Sequence, residues 1–155
     1  MAYYQLYREQ KINTSLDEMW DFISSPRRLK EITPNYMLFD ITSKHIPEKM
    51  YEGMIISYKI SPLLSIKIDW IAEITHIREK EIFIDEQRIG PYSFWHHQHI
   101  FKPIKKGTLM KDIVTYAPPY GLLGAIANML VIRNKLKDIF DYRKKEIEKR
   151  YGVYK

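Results

Sequence analysis

The residues best suited to chemistry are two histidines set two apart, His97 and His99, in the run Phe94-Trp95-His96-His97-Gln98-His99-Ile100-Phe101. In a β-strand, side chains alternate between faces, so Trp95, His97, His99 and Phe101 share one side. Imidazole titrates near neutrality, and beside a carboxylate it suits proton transfer. The same spacing can place two imidazoles on one metal ion, with Asp85, Asp112 or Glu73 as a third ligand. A third use is a hydrogen-bonded network that satisfies buried polar groups or anchors a ligand's head group. The residue pattern favours this third use, so neither a metal nor a cofactor is expected. No serine or cysteine nucleophile constellation and no phosphate-cradling glycine loop accompanies the histidines, which leaves acyl and phosphoryl transfer without support.

Turn signals on either side supply the histidines with neighbours. Ile89-Gly90-Pro91 precedes the run and Lys105-Lys106-Gly107 follows it. Across the first turn, pairing Phe83 with His97, Asp85 with Trp95 and Gln87 with Ser93 keeps all of them on the histidine face. Across the second, Met110, Asp112, Val114 and Tyr116 join that face. Glu73 and Thr75 of the preceding strand are assigned to it as well. Solvent is left with Glu86, Arg88, His96, Gln98, Lys102, Lys111 and Thr115. The expected site therefore has apolar contacts from Phe83, Trp95, Phe101, Met110, Tyr116 and, from the last helix, Met129. Its polar groups are Asp85, Gln87, His97, His99 and Asp112.

These residues need a sheet and a cover. Strands are expected over 3–12, 36–42, 54–60, 65–76, 82–88, 94–101 and 108–116. Ser15, with Glu18 three residues on, predicts a helix start, and Leu16, Met19, Trp20 and Ile23 share its apolar face. Pro26 opens a second short helix, which Thr33-Pro34 ends. Leu122 to Arg150 reads as one helix of about 43 Å, with Leu122, Ile126, Met129, Leu136, Phe140 and Ile147 on one side and Arg133 interrupting. Its first half is apolar nearly all round; its second half is amphipathic and highly charged. Successive strands on short turns make an antiparallel sheet, and a helix with an apolar stripe must cover one face of it.

Composition bounds the rest. The 155 residues, 45% apolar, suit one folded domain spanning 1–155. There is no cysteine, which excludes disulfides and thiolate chemistry. The N-terminal residues lack the apolar run of a signal peptide, and Leu122–Ile132 is shorter than the roughly 20 residues of a membrane span, so a soluble cytoplasmic protein is expected. A net charge of +6, with bases and acids interleaved, reads as a solvated surface rather than a nucleic-acid footprint. Leu63-Leu64 and Tyr120-Gly121-Leu122-Leu123 form a candidate apolar rim that could touch a membrane without stable insertion.

In order and spacing, several stretches resemble the START/Bet v 1-like superfamily, also called SRPBCC, and within it a bacterial ligand-binding subfamily. They are Trp20-Asp21-Phe22-Ile23-Ser24-Ser25-Pro26, Leu29 through Pro34, Phe83 through Tyr92 leading into Trp95–Phe101, and Asp112, Tyr116, Pro119-Tyr120-Gly121 and Gly124. Arg27-Arg28 departs from the pattern, which has an Asn near the second helix start. The resemblance implies an α+β helix-grip fold: a curved seven-stranded antiparallel sheet wrapped around a long C-terminal helix, with two short helices between the first two strands. It also implies a cavity for a small hydrophobic or amphipathic ligand. Two alternatives stand beside that function. One is an enzyme of polyketide cyclase/dehydratase or isomerase type using a His–Asp pair; the other is lipid binding or transfer at a membrane surface.

Overall fold

A computed structural model describes residues 3–61 and 66–155; Leu63 and Leu64 of the expected rim lie outside the described residues. Strand β1 (Tyr4–Ile12) leads into helix α1 (Leu16–Ile23), two 3₁₀ segments (Pro26–Ile32 and Asn35–Met37) and the short strand β2 (Asp40–Ile41). Strands β3 (Ile55–Ile60), β4 (Ile68–Arg78), β5 (Ile82–Ile89), β6 (Phe94–Ile104) and β7 (Gly107–Ala117) follow. An unbroken helical run closes the chain: α2 (Gly121–Ala127), a π-helical segment (Asn128–Ile132) and α3 (Arg133–Tyr151). The seven strands form one antiparallel sheet in the order β1-β7-β6-β5-β4-β3-β2.

Local chemistry explains the elements. Ser15 Oγ accepts from the Glu18 amide at 3.2 Å, capping α1. The Glu18 carboxylate accepts from the Thr14 hydroxyl at 2.5 Å instead of returning to the cap residue's amide. Met19, Trp20, Phe22 and Ile23 bury the inner face of α1. The strand expected over 36–42 shrinks to two residues, because Asn35–Met37 coils into a 3₁₀ turn and Leu38 takes a left-handed conformation (φ 46°).

Register decides which side chains face inward. On β6 and β7, Trp95 pairs with Tyr116, His97 with Val114, His99 with Asp112 and Phe101 with Met110, so odd positions of β6 face inward with even positions of β7. On β5 the pairing is Asp85 with His97 and Phe83 with His99, two residues from the expected register. A shift of two preserves the face. Between β4 and β5 the parity changes: Ala72 pairs with Gln87 and Ile74 with Asp85. Trp70, Ala72 and Ile74 are therefore buried, and Glu73 turns outward to Arg88 Nε at 2.6 Å. Thr75 sits at the register shift between Ile74 and His76. The inward placement of Glu73 is thus corrected, since a one-residue slip reverses every side chain.

The long helix also differs from the expected stripe. Gly124, Asn128, Leu136, Phe140, Arg143 and Ile147 are buried, while Leu122, Ile126 and Met129 are exposed. Gly124 belongs at its position because an added Cβ would stand 1.9 Å from the Pro119 carbonyl oxygen. The π turn over Asn128–Ile132 adds a residue to one turn and rotates the face before it relative to the face after it.

Candidate functional site

Between the sheet and α3 lies a cavity of about 160 Å³. Most of its wall is apolar, including Ile56, Trp70, Trp95 and Phe140. Trp70 and Trp95 meet edge to face at 5.1 Å between centroids. One side of the wall is polar and carries Asp85, His97, His99 and Arg143.

The register builds that polar side. Asp85 stands opposite His97 on one neighbouring strand, and Asp112 opposite His99 on the other. The two imidazoles lie with centroids 3.7 Å apart, and His99 stacks on Phe83 at 3.9 Å. Asp112 Oδ1 accepts from His97 Nε2 at 2.9 Å and from Arg143 Nη1 at 3.1 Å. Asp85 Oδ2 accepts from His99 Nε2 at 2.8 Å, and Asp85 Oδ1 from Trp95 Nε1 at 3.2 Å. Two further approaches are close without a directed bond: His97 Nδ1 to Asp85 Oδ2 at 3.4 Å, and His99 Nδ1 to Asp112 Oδ1 at 3.2 Å. His99 Nδ1 and Arg143 Nε are buried with no hydrogen-bond partner among the described residues.

Burial and pairing compete at each group. Burial pushes the Asp112 carboxyl up, but Arg143 and the two histidines hold it well below the usual carboxylate range. Burial likewise works against the Asp85 anion; His97, His99 and Trp95 outweigh it and leave the carboxyl lowered. His97 is depressed to about 4 by burial and by the neighbouring His99. His99 is raised, because attraction to Asp112 and Asp85 overcomes burial. The two rings are thus driven apart: beside two carboxylates and the Arg143 guanidinium, His97 favours its neutral form and His99 its charged form.

The expected site residues divide into three groups. Phe83, Asp85, Trp95, His97 and His99 stand on the cavity wall. Asp112 lies behind the histidines, bonded to His97 and Arg143. Gln87, Phe101, Met110, Tyr116 and Met129 are elsewhere. Gln87 holds the Tyr92 backbone through both ends of its amide, at 2.7 and 3.2 Å. Phe101 and Met110 pack in the core beside Trp20 and Ile147. Tyr116 donates to Asn128 Oδ1 at 2.8 Å. Met129, 70% exposed, is corrected from the cavity wall to the outer surface, because the π turn rotates it off the buried face.

No family model matches the chain, and no curated protein matches it in sequence. Solved structures do. Ginseng major latex-like protein 151 from Panax ginseng superposes with a TM-score of 0.66 at 13% identity, covering 97% of this chain and 99% of that one. A norcoclaurine synthase point mutant from Thalictrum, solved with a transition-state analogue, gives 0.66 at 14% identity, with 96% of each chain covered. Protein Ms6760 from Mycobacterium smegmatis gives 0.69 at 17%, covering 94% and 89%. The chain has the helix-grip fold.

In this helix grip, sequence reasoning missed several wall residues, Arg143 and three aromatics among them. Arg143 was hidden in the basic cluster Arg143-Lys144-Lys145, yet it falls three residues after Phe140 and four before Ile147, which is the buried spacing of a helix. The face of Trp70 cannot be read from residue types alone, since its phase depends on the β4–β5 register. Tyr58 and Tyr92 come from a strand and a turn whose inward sides had not been assigned; burial pushes both phenols up. For Trp70, the alternation of the apolar residues Trp70, Ala72 and Ile74 was the available signal.

Proposed function

We propose that this protein binds a small amphipathic molecule in the cavity, with its apolar body against Trp70, Trp95 and Ile56 and its polar end on the His97–His99–Asp85–Arg143 side. The observation that carries this reading is an apolar chamber closed at one side by a polar wall of Asp85, His97, His99 and Arg143. Wells of this type orient ligands by a few convergent polar groups. The volume is of the order that holds a single aromatic ring, so the ligand is small or enters with some widening of the cavity. Native mass spectrometry of the purified protein with organic extraction tests this: a stoichiometric small-molecule mass is expected. Ala72→Leu, which fills the chamber from its wall, should abolish binding while the protein stays folded. Unchanged ligand retention in that variant would overturn the reading.

A second reading, contact with an anionic lipid surface, is supported by a separate observation. Tyr120, Leu122, Leu123, Met129 and Leu130 are 63–84% exposed. No Asp or Glu occurs from Ile113 to Lys137, while Arg133, Lys135 and Lys137 follow the apolar residues. Apolar side chains with flanking cations suit an interfacial helix. Sedimentation with vesicles containing phosphatidylserine, but not with phosphatidylcholine alone, is the expected result. Self-association of the free protein without vesicle binding would assign the face to a second copy instead.

A further inference from the structure

We propose that His97, His99 and Asp85 form a site for a divalent transition-metal ion, zinc in the first instance, whose open coordination position faces the cavity. The proposal deepens the ligand reading, since the ion would receive the ligand's polar end, but the ion's own binding requires no ligand.

Four observations converge. The three side chains offer ligand atoms that all lie within 4.8 Å of one another. His97 Nδ1 and His99 Nε2 stand 3.4 and 2.8 Å from Asp85 Oδ2. Around a tetrahedral zinc with bonds near 2.1 Å, ligand atoms are about 3.4 Å apart, so His99 and Asp85 need separate by only roughly half an ångström.

The second observation is a conflict that a cation resolves. His97 lies between two carboxylates, Nε2 2.9 Å from Asp112 Oδ1 and Nδ1 3.4 Å from Asp85 Oδ2, so a ring carrying one N–H can donate to only one of them. With that N–H on Nε2, Nδ1 and Asp85 Oδ2 are two acceptors that repel. A positive ion between them turns the repulsion into two bonds.

The third is the support behind each ligand. Metal-bound histidines usually give their other ring nitrogen to a carboxylate, which fixes tautomer and orientation. Asp112 stands at the far nitrogens of both rings, 2.9 Å from His97 Nε2 and 3.2 Å from His99 Nδ1, and Arg143 fixes Asp112 in turn. Trp95 Nε1 holds the other oxygen of Asp85. Zinc takes the place of the Nε2 proton of His99, which leaves to solvent, and the neutral ring keeps its proton on Nδ1, 3.2 Å from Asp112 Oδ1.

The fourth is access. Asp85, His97 and His99 are on the cavity wall and Asp112 is not, which separates the ligand carboxylate from the orienting one. With both imidazoles neutral, Asp85, Asp112 and Arg143 sum to one negative charge, and a dication makes the site singly positive. The group that completes the coordination is then anionic: a hydroxide, carboxylate or enolate.

The test uses the full chain, stripped with a chelator and given Zn²⁺ or Co²⁺ alone. One tightly held zinc per chain in native mass spectrometry is expected, and Co²⁺ should show the intense visible absorption of a four-coordinate site, displaced by zinc. Asp85→Asn should weaken zinc binding by at least 100-fold, and Asp112→Asn by about 10–100-fold, with folding of each checked by circular dichroism. His96→Ala, on the opposite face of β6, should leave affinity unchanged. Absence of the cobalt band in the wild-type protein overturns the proposal without recourse to any variant, as does equal weakening by His96→Ala and Asp85→Asn. Failure of added zinc or cobalt to bind protein that retains a co-purified small molecule would sink the metal while leaving the ligand reading intact.

Discussion

The two halves of the C-terminal helix invert the usual rule of burial. From Gly121 to Ile132 the helix is almost wholly apolar, yet it leaves Leu122, Leu123, Met129 and Leu130 in solvent. From Arg133 to Tyr151 it is rich in charge, yet it buries Arg143 to 7% exposure. Hydropathy alone would have exchanged them. What decides is the seat each half meets. The second half lies across the sheet, where Asp112 accepts from Arg143 Nη1 and the Phe140 ring packs under the guanidinium at 4.8 Å. The first half is held mainly through Gly124 against Pro118 and Pro119, and through Asn128 on Tyr116. A charged residue with a partner is therefore interior, and leucines with no facing surface are exterior.

The sharpest way to break this comparison is to remove the buried cation. Arg143→Ala leaves Asp112 buried without its guanidinium, and breaking such a pair costs about 3–5 kcal/mol. Urea unfolding should show that loss as a lower midpoint with a similar slope. A loss below about 1 kcal/mol would mean that water replaces the guanidinium and that the second half of the helix is not anchored by charge.

Much of this contrast was legible in the sequence, and the reasons for the remainder are specific. The alternation through Trp95, His97, His99 and Phe101 survived because β6 pairs with β7 without a bulge, so one parity holds for all eleven paired positions. Asp85 reached the correct face despite a two-residue error in register. Glu73 did not, because the β4–β5 pairing changes parity and carries a shift near Thr75, a feature with no signature in residue type. Met129 was misplaced by a π turn that a 3.6-residue period cannot anticipate. Arg143 was overlooked because a lone buried charge in a charged helix looks like its solvated neighbours until the partner on the sheet is known.

The histidines give an intermediate effect, read in metal-free protein through pH. His97 has a folded pKa near 4, below its ordinary value. The unfolded chain therefore takes up its proton first, and stability present above about pH 6.5 is lost as the pH falls toward 4, by about 3 kcal/mol over the full window. His99 is raised, so its contribution is complete below about pH 6.5 and is lost as the pH rises through its folded value. The two slopes oppose each other and place maximum stability near pH 6.5. Below the ordinary carboxylate range, protonation of Asp85 and Asp112 adds a further loss. Urea midpoints from about pH 4.5 to about pH 8.5 check this shape. His97→Gln should flatten the acid limb and leave the alkaline limb in place; a stability curve flat across that range would show that neither ring titrates differently on folding.

The smallest effect on stability belongs to the apolar half, and it separates the two halves most cleanly. Leu122→Gln and Met129→Gln change side chains that are 78% and 70% exposed, so each should shift unfolding by less than about 0.5 kcal/mol. The same substitutions remove apolar area from the face offered to a lipid surface, and the double variant should lose binding to phosphatidylserine vesicles while retaining its cavity ligand. Each outcome excludes one explanation. A stability loss above about 2 kcal/mol would show that the leucine and methionine are packed in solution, so that the halves of the helix are alike after all. Unchanged stability with unchanged vesicle binding would leave the halves distinct but remove the lipid surface as the reason. Unchanged stability with lost vesicle binding would show that the sheet holds the helix by its charged half and leaves the apolar half free to meet a partner.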